Sequence, residues 1–383
     1  MSQKAKQQVL AKLRRAYPKA GLAYKTQLLD QAVALLGYHR KAAIRALNAR
    51  PRPPRTVAVV LGRPREYDPQ TLLPILKPVW FAAYQPCGSR LVALLPEWLP
   101  AYEADHRRLD PDLRECLLAA SARTLDRLLA PLRVTLRRRG GTKPGSLLRA
   151  SIPIRGEWDE EGAGWLEIDT VALCGGALDD RHAWMLDGVD IGTDWTEQRA
   201  LENRGQHATL TQFKDLEASL PFPLRGVDSD NGGEFINHHL VAELRQRPRP
   251  VLFTRARPYR KNDNAHVEQR NWTHVRQHFG YERYDNPAVV PLINALCKGA
   301  LGQLQNHFLP THKLEEKKRR KGKSPLRVYG PALTPYARVL EAGEVSAAKK
   351  RELKALHGQL NPFQLGREIE RQKKEIEARR RLA

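Results

Sequence analysis

Cysteine is scarce in this chain, and acidic residues are too few to balance the basic ones. The four cysteines, Cys87, Cys116, Cys174 and Cys297, are scattered, with no Cys-x-x-Cys pair and no regular Cys/His spacing, so neither a disulfide framework nor a zinc site is expected. No apolar run approaches the roughly 18 to 20 residues a spanning helix needs, which sets a membrane aside as a partner. The start, Met1-Ser2-Gln3-Lys4-Ala5-Lys6, enters a polar helical pattern without the apolar stretch and small-residue cleavage site of a signal peptide. A cytoplasmic location is the expectation. The twelve histidines are dispersed, and His238-His239 reads as the solvated part of a helix rather than a pair of metal ligands.

What the chain has in excess is positive charge. It carries 65 Lys+Arg against 42 Asp+Glu, a formal charge of +23, which favours a polyanionic partner and nucleic acid first. At 383 residues it exceeds one ordinary core, its 41% hydrophobic content suffices for packed domains, and its 27 prolines suggest ordered junctions between them.

Residues 1–50 read as a helix-turn-helix DNA-binding segment. Leu28, Leu29, Ala32, Val33 and Leu36 recur at helical spacing, Gly37 offers a stop, and Ala42, Ile44, Ala46 and Leu47 resume the pattern. The second helix carries His39, Arg40, Lys41 and Arg45, which could face a groove and its phosphates. A helical hairpin with a solvated basic face has the same outline; the charge excess favours DNA. Residues 51–67 form a basic, proline-rich linker in which Pro51-Arg52-Pro53-Pro54-Arg55 is held extended, either as a stiff spacer or as an arm lying in a minor groove through residues such as Arg52. Residues 68–136 repeat a helical outline, with Arg123 and Arg127 on a second DNA-binding helical unit, and 137–155 is a flexible basic linker.

From residue 156 to 309 the pattern changes. Trp165 to Leu173, His182 to Thr193 and Thr196 to Asn203 read as strands, Thr209 to Leu220 as a helix, Leu224 to Asp228 as a strand and Glu234 to Gln246 as a helix. Val251 to Arg255 is a further strand, followed by helices over about Asp263 to Phe279 and Pro287 to His307. This predicts an α/β core with a mixed sheet. Residues 310–383 form a basic, partly helical C-terminal region, with Lys317 to Lys323 at its start and a charged helix from about Pro362 to Arg381.

Three acids stand out. Asp169 interrupts an apolar strand, where an unpaired charge would cost several kcal/mol if buried. Asp230 follows a short strand, and Glu268 lies in a helix. Two strand-end aspartates and a helix glutamate converging at a sheet edge would give the oxygen-rich site that Mg²⁺ requires. Glu167 falls on the same strand face as Asp169.

The motif Ser229-Asp230-Asn231-Gly232-Gly233-Glu234-Phe235 resembles the second-aspartate motif of retroviral-integrase-like DDE transposases. Asn264 to Glu268, followed by Arg270-Asn271, resembles their glutamate helix, Trp165 to Thr170 their first-aspartate strand, and Thr193-Asp194-Trp195 the Thr-x-Trp region after it. The resemblance covers roughly residues 155 to 300, and the helix-turn-helix outlines in place of a His/Cys zinc module make the organisation similar to a bacterial insertion-sequence transposase. It implies an RNase H-like core and 3′-end cleavage with strand transfer of a mobile element. Element ends and target DNA are the implied partners, with a homo-oligomer assembled on them. It also implies two Mg²⁺ or Mn²⁺ ions about 4 Å apart, with Asp169 bridging both, Asp230 completing one site and Glu268 the other. Asp228 competes with Asp230, but the family pattern sets the ligand before Asn-Gly; Asp263 is the nearest alternative to Glu268. The interval from Asp230 to Glu268, 268 − 230 = 38 positions, is slightly longer than usual in the retroviral branch, and the proline before the glutamate helix is displaced to Pro258. Lys261, Asn264 and Arg270 are candidates for holding the DNA strand, with Arg270 turned toward solvent or DNA. A metal nuclease of the same fold without strand transfer, and a transposase-derived DNA-binding regulator without catalysis, are the competing readings.

Overall fold

The computed structural model describes residues 3–49, 67–133, 162–176, 182–229, 238–255, 270–320 and 323–382. The chain divides into two compact units, Met1–Arg65 and Glu66–Ala383. Among the described residues no helix is long and apolar enough to cross a membrane.

The first unit holds α1 (Gln3–Ala16), α2 (Leu22–Leu36) and α3 (Arg40–Asn48). Leu28, Leu29, Ala32 and Leu36 share one face of α2 at three- and four-residue spacing and pack on Leu13, Tyr17, Ala43 and Leu47. Helix α2 stops where Gly37 enters the left-handed region at φ 70° and its N–H donates to the Val33 carbonyl at 3.0 Å. The His39 ring caps α3 by accepting from Lys41 N, and Arg14 Nε donates to the Ala46 carbonyl at 2.6 Å, tying α1 to the end of α3.

The second unit opens with four helices, α4 (Pro69–Ala82), α5 (Gly88–Asp105), α6 (Pro111–Ala119) and α7 (Ala122–Leu129). Side-chain caps start α6 and α7: Asp110 accepts from Asp112 N, and Ser121 from Thr124 N. Helices α5 and α7 cross closely at Gly88, where an added Cβ would lie 2.0 Å from the Ala122 carbonyl oxygen.

A five-stranded sheet follows: β1 (Trp165–Ala172), β2 (Trp184–Asp190), β3 (Thr196–Leu201), β4 (Gly226–Ser229) and β5 (Leu252–Arg255), in the order β3-β2-β1-β4-β5. β1, β2 and β3 are antiparallel neighbours, while β1, β4 and β5 run parallel. Between β3 and β4 the chain forms α8 (Gln206–Ala218), and between β4 and β5 it forms α9 (His238–Arg245). These two helices cover one face of the sheet: Leu166, Ile168, Leu186, Leu201, Val227 and Phe253 pack with Phe213 and Leu216 of α8 and Leu240 and Leu244 of α9. Alternation along each strand sends Trp165, Glu167, Asp169 and Val171 to the opposite face.

That second face is roofed from several parts of the chain. Asn271–Arg276 is a π-helical stretch continuing into Gln277–Phe279, together α10; Val289–Leu296 is α11, leading through a π-helical Cys297–Leu301 into α12 (Gly302–Phe308). Val171, Met185 and Ala200 of the sheet share one apolar cluster with Val275 and Phe279, with α11 and α12, and with Leu76, Trp80, Leu95 and Trp98 of the early helices. The helices of 68–136 therefore share their core with the sheet and the chain's end; Trp98 Nε1 donates to the Phe308 carbonyl at 3.2 Å and its ring packs edge-on against Phe363.

Past α12 comes a two-stranded antiparallel ribbon, β6 (Leu314–Arg320) and β7 (Lys323–Tyr329), where the sequence suggested a polar tail. Helices α13 (Pro335–Glu341), α14 (Ala347–His357) and α15 (Pro362–Arg380) complete the described chain. The last begins at Asn361, whose side chain accepts from Phe363 N and Gln364 N, and ends within one residue of the expected Arg381.

Candidate active site

Asp169 lies near the middle of β1, half-buried, on the face not covered by α8 and α9. Its Oδ1 accepts from Thr170 N at 2.8 Å and its Oδ2 from Asn271 Nδ2 at 2.6 Å. Helix α10 is thereby fastened to the strand through one amide. The same face carries three further acids. Asp187 is the register partner of Asp169 on β2, and Asp228 on β4 is the partner of Glu167. Glu167, Asp187 and Asp228 are each 1% exposed or less.

These acids are managed differently. Asp228 Oδ1 accepts from Thr254 Oγ1, its register partner on β5, at 2.6 Å. Neither carboxyl oxygen of Asp187 has a hydrogen-bond partner among the described residues. Burial, reinforced by the nearby Asp169 charge, pushes the Asp187 carboxyl up to about 8. Arg270 and Gln198, its register partner on β3, oppose that rise without cancelling it, so the Asp187 carboxyl keeps its proton beside the half-buried Asp169. The hard oxygen donors of this face suit a Mg²⁺-type ion better than a soft metal.

Of the residues expected to build the site, Asp169 is within the described chain, whereas Asp230, Glu268 and the alternative Asp263 lie outside the described residues. Ser229, the last described residue of β4, pairs with Ile168, the residue before Asp169. Among the described residues no three of the His, Cys, Asp and Glu side chains form a metal-binding group.

Arg270 departs from expectation. Instead of facing solvent, its side chain is 11% exposed and its Nη2 lies 3.2 Å from Asp194 Oδ2. The reason is a buried knot at the turn after β2. Asp194, left-handed at φ 63°, also accepts from Thr311 Oγ1 and from Arg338 Nη1 at 3.1 Å. Burial would raise the Asp194 carboxyl, but Arg270, Arg338 and Lys313 hold it below its ordinary value. Beside it, Thr193 Oγ1 donates to Asp190 Oδ2 at 2.7 Å, and Trp195 Nε1 to Glu197 Oε1 at 3.0 Å, so the Thr-Asp-Trp segment is a hydrogen-bonded corner. The π-helical turn also shifts the phase of α10: Asn271 reaches Asp169, Val275 enters the core, and His274 is buried too.

The remaining DNA-contact candidates fall into three groups. Arg40, Lys41 and Arg45 are exposed on α3, with Arg40 Nη1 2.8 Å from Asp30. Arg123 and Arg127 are exposed on α7. Arg52, Lys261 and Asn264 lie outside the described residues. Asp187 escaped the sequence reading, although Met185-Leu186-Asp187-Gly188-Val189 carries the same signal that exposed Asp169, an acid interrupting an apolar strand.

No protein-family model matches the chain. It is 37% identical over 329 residues to the "Uncharacterized protein y4rM" of Sinorhizobium fredii, a match spanning 82% of this chain and 89% of that protein. At that identity and coverage, the chain belongs to the same family as y4rM.

Proposed function

We propose that this protein is a DNA strand-transfer enzyme of the transposase and integrase kind, with Asp169, Asp230 and Glu268 as its metal-holding carboxylates. The observation that carries the reading is the seam between β1 and β4. Asp169 is on the open face of β1, β4 runs parallel beside it, and Ser229 at the end of β4 pairs with the residue before Asp169. Ser229 thus ends the described part of β4 beside Ile168, and Asp230-Asn231-Gly232, next in sequence, lie outside the described residues. A five-stranded mixed sheet flanked by helices is also the kind of core that an RNase H-like resemblance implies.

Bound divalent ions would supply charge neutralisation and oxygen activation at the phosphodiester. The chain's own residues supply the rest. Asn271 orients the Asp169 carboxylate through its amide, the buried Asp187 keeps negative charge or a proton behind it, and Asp228 is occupied by Thr254. The motif, which sets the ligand before Asn-Gly, favours Asp230 over Asp228 as the second ligand. The first unit, where positions 1–65 hold fifteen Lys and Arg against the single acid Asp30, supplies affinity for duplex phosphates.

The test uses the full chain, Mg²⁺ and duplexes taken from the DNA flanking its own coding region. Asp169→Asn should abolish 3′-end cleavage and strand transfer with DNA binding unchanged; full activity in this variant would refute the site. Asp230→Asn should match it, whereas Asp228→Asn should keep substantial turnover. The reverse ranking would assign the second ligand to Asp228.

A further inference from the structure

Beside α10 lies a cleft of about 600 Å³ between the α4–α5 turn and α12. That volume is in the range of small-ligand sites. Tyr84, Arg90, Arg270, Trp272, Gln277 and Gln305 are among the residues that line it.

Its charge is out of balance. Arg90 and Arg270 line the cleft and, with Lys313 and Arg338, which do not, lie around the buried carboxylate of Asp194, while Asp190 also faces Lys313 and Asp187 faces Arg270; Arg90, Lys313 and Arg338 are each lowered from their ordinary values, by burial first and by Arg270 as well. Arg90 Nε has no hydrogen-bond partner among the described residues. Gln305, 2% exposed, leaves its Oε1 without one while its Nε2 is 3.3 Å from His278 Nε2. The rim is strained: Tyr84 at φ 58° and Gln85 at φ 56° are consecutive non-glycine residues in the left-handed region, a conformation that persists where the surroundings impose it. A buried guanidinium nitrogen and a buried amide oxygen without partners call for a ligand carrying both an anion and hydrogen-bonding groups, and the Trp272 and Tyr84 rings that line the cleft offer a surface to a planar ring.

We propose that this cleft binds one unpaired nucleotide of a DNA strand, with its phosphate against Arg90 and Arg270 and its base among Trp272, Gln277 and Gln305. The inference rests on the strand-transfer reading, since Arg270 and Trp272 flank the Asn271 that holds Asp169, so a nucleotide seated here brings its neighbouring phosphodiester toward the carboxylate face. An acidic peptide could meet the cations but has no base for the amides and the indole.

Binding is measured on the full chain in EDTA, by anisotropy of a fluorescein-labelled decathymidylate at about 0.15 M salt, where exposed charges beyond roughly 8 Å are screened. Arg90→Gln should weaken binding about tenfold, Arg90→Lys should recover most of that loss, and Arg351→Gln on exposed α14 should stay within twofold. A 5-iododeoxyuridine in the oligonucleotide should crosslink to peptides holding Tyr84 or Trp272. Unchanged binding by Arg90→Gln, crosslinks confined to other segments, or displacement by oligoglutamate as effective as by unlabelled oligonucleotide would overturn the proposal. Thymidine monophosphate binding as tightly as the oligonucleotide would overturn its strand component and assign the cleft to a free nucleotide. Because EDTA removes divalent ions, failure here leaves the carboxylate site standing, and inactivity of Asp169→Asn tests that site alone.

Discussion

Asp194→Asn isolates the knot that seats α10. Asparagine has the shape of aspartate and tolerates the left-handed conformation that Asp194 adopts at φ 63°, so the exchange removes charge with little backbone effect. The wild-type carboxylate, 4% exposed, faces Arg270 at 3.2 Å and Arg338 at 3.1 Å, with Lys313 close by. Removing one partner of a buried ion pair costs about 3–5 kcal/mol because a charge is left uncompensated. Here more than one cation is stranded, so the upper part of that range is expected. All seven tryptophans lie beyond residue 65, so denaturation followed by tryptophan emission reads the second unit alone. The pH dependence gives an independent check. The folded carboxyl lies below its ordinary value, so its contribution is present above the unfolded value near 4 and is lost as pH falls below it. The gap between wild type and Asp194→Asn should be full at pH 7 and shrink below pH 4. A loss under about 1 kcal/mol at neutral pH would refute the assignment of Asp194 as the knot's charge centre.

Other consequences are as direct. His274, His278 and His307 are buried, and burial holds His278 near 3, His307 near 4 and His274 well below its ordinary value. The unfolded chain then binds protons that the folded one does not, so stability should fall between pH 6.5 and 5 by about 2 kcal/mol per fully buried histidine; flat denaturant midpoints over that interval would contradict it. Gly226→Ala puts a Cβ 2.2 Å from the Trp165 ring at the β1–β4 seam and should cost about 1–3 kcal/mol by overpacking, read as a lowered midpoint. A fragment of residues 1–65 should bind duplex DNA with affinity falling steeply as salt rises, and Arg45→Ala should reduce the slope of log K against log salt by about one. An unchanged slope would remove α3 from the interface.

The elements that read correctly from sequence are those with local signals. The strands β1 to β5 announced themselves by alternation or by short apolar runs, and the end of α2 by Gly37; the acid that interrupts the apolar neighbours of β1, Asp169, lies half-buried on its open face. The β6–β7 ribbon did not, because Lys317 to Lys323 is so uniformly charged that no two-residue alternation survives in it. Arg270 misled for a different reason: its inward turn depends on Asp194, Thr311 and Arg338, from 41 to 76 positions away, and on a π-helical phase shift that 3.6-residue counting does not anticipate. The shared core of 68–136 with the sheet and α15 is likewise long-range packing, invisible to a helical period.

The two faces of the sheet make the parity of residue numbers meaningful. In β1 and β2 the odd positions, among them Glu167, Asp169 and Asp187, look toward the proposed site, while even positions such as Leu166, Ile168 and Leu186 look toward α8 and α9. Inserting or deleting one residue upstream within β1 would exchange the two sets at once, driving carboxylates into the apolar layer and aliphatics into the site. Descendants of this gene can therefore vary freely in spelling on the apolar face so long as volume is kept, but their length between Trp165 and Asp169 is fixed.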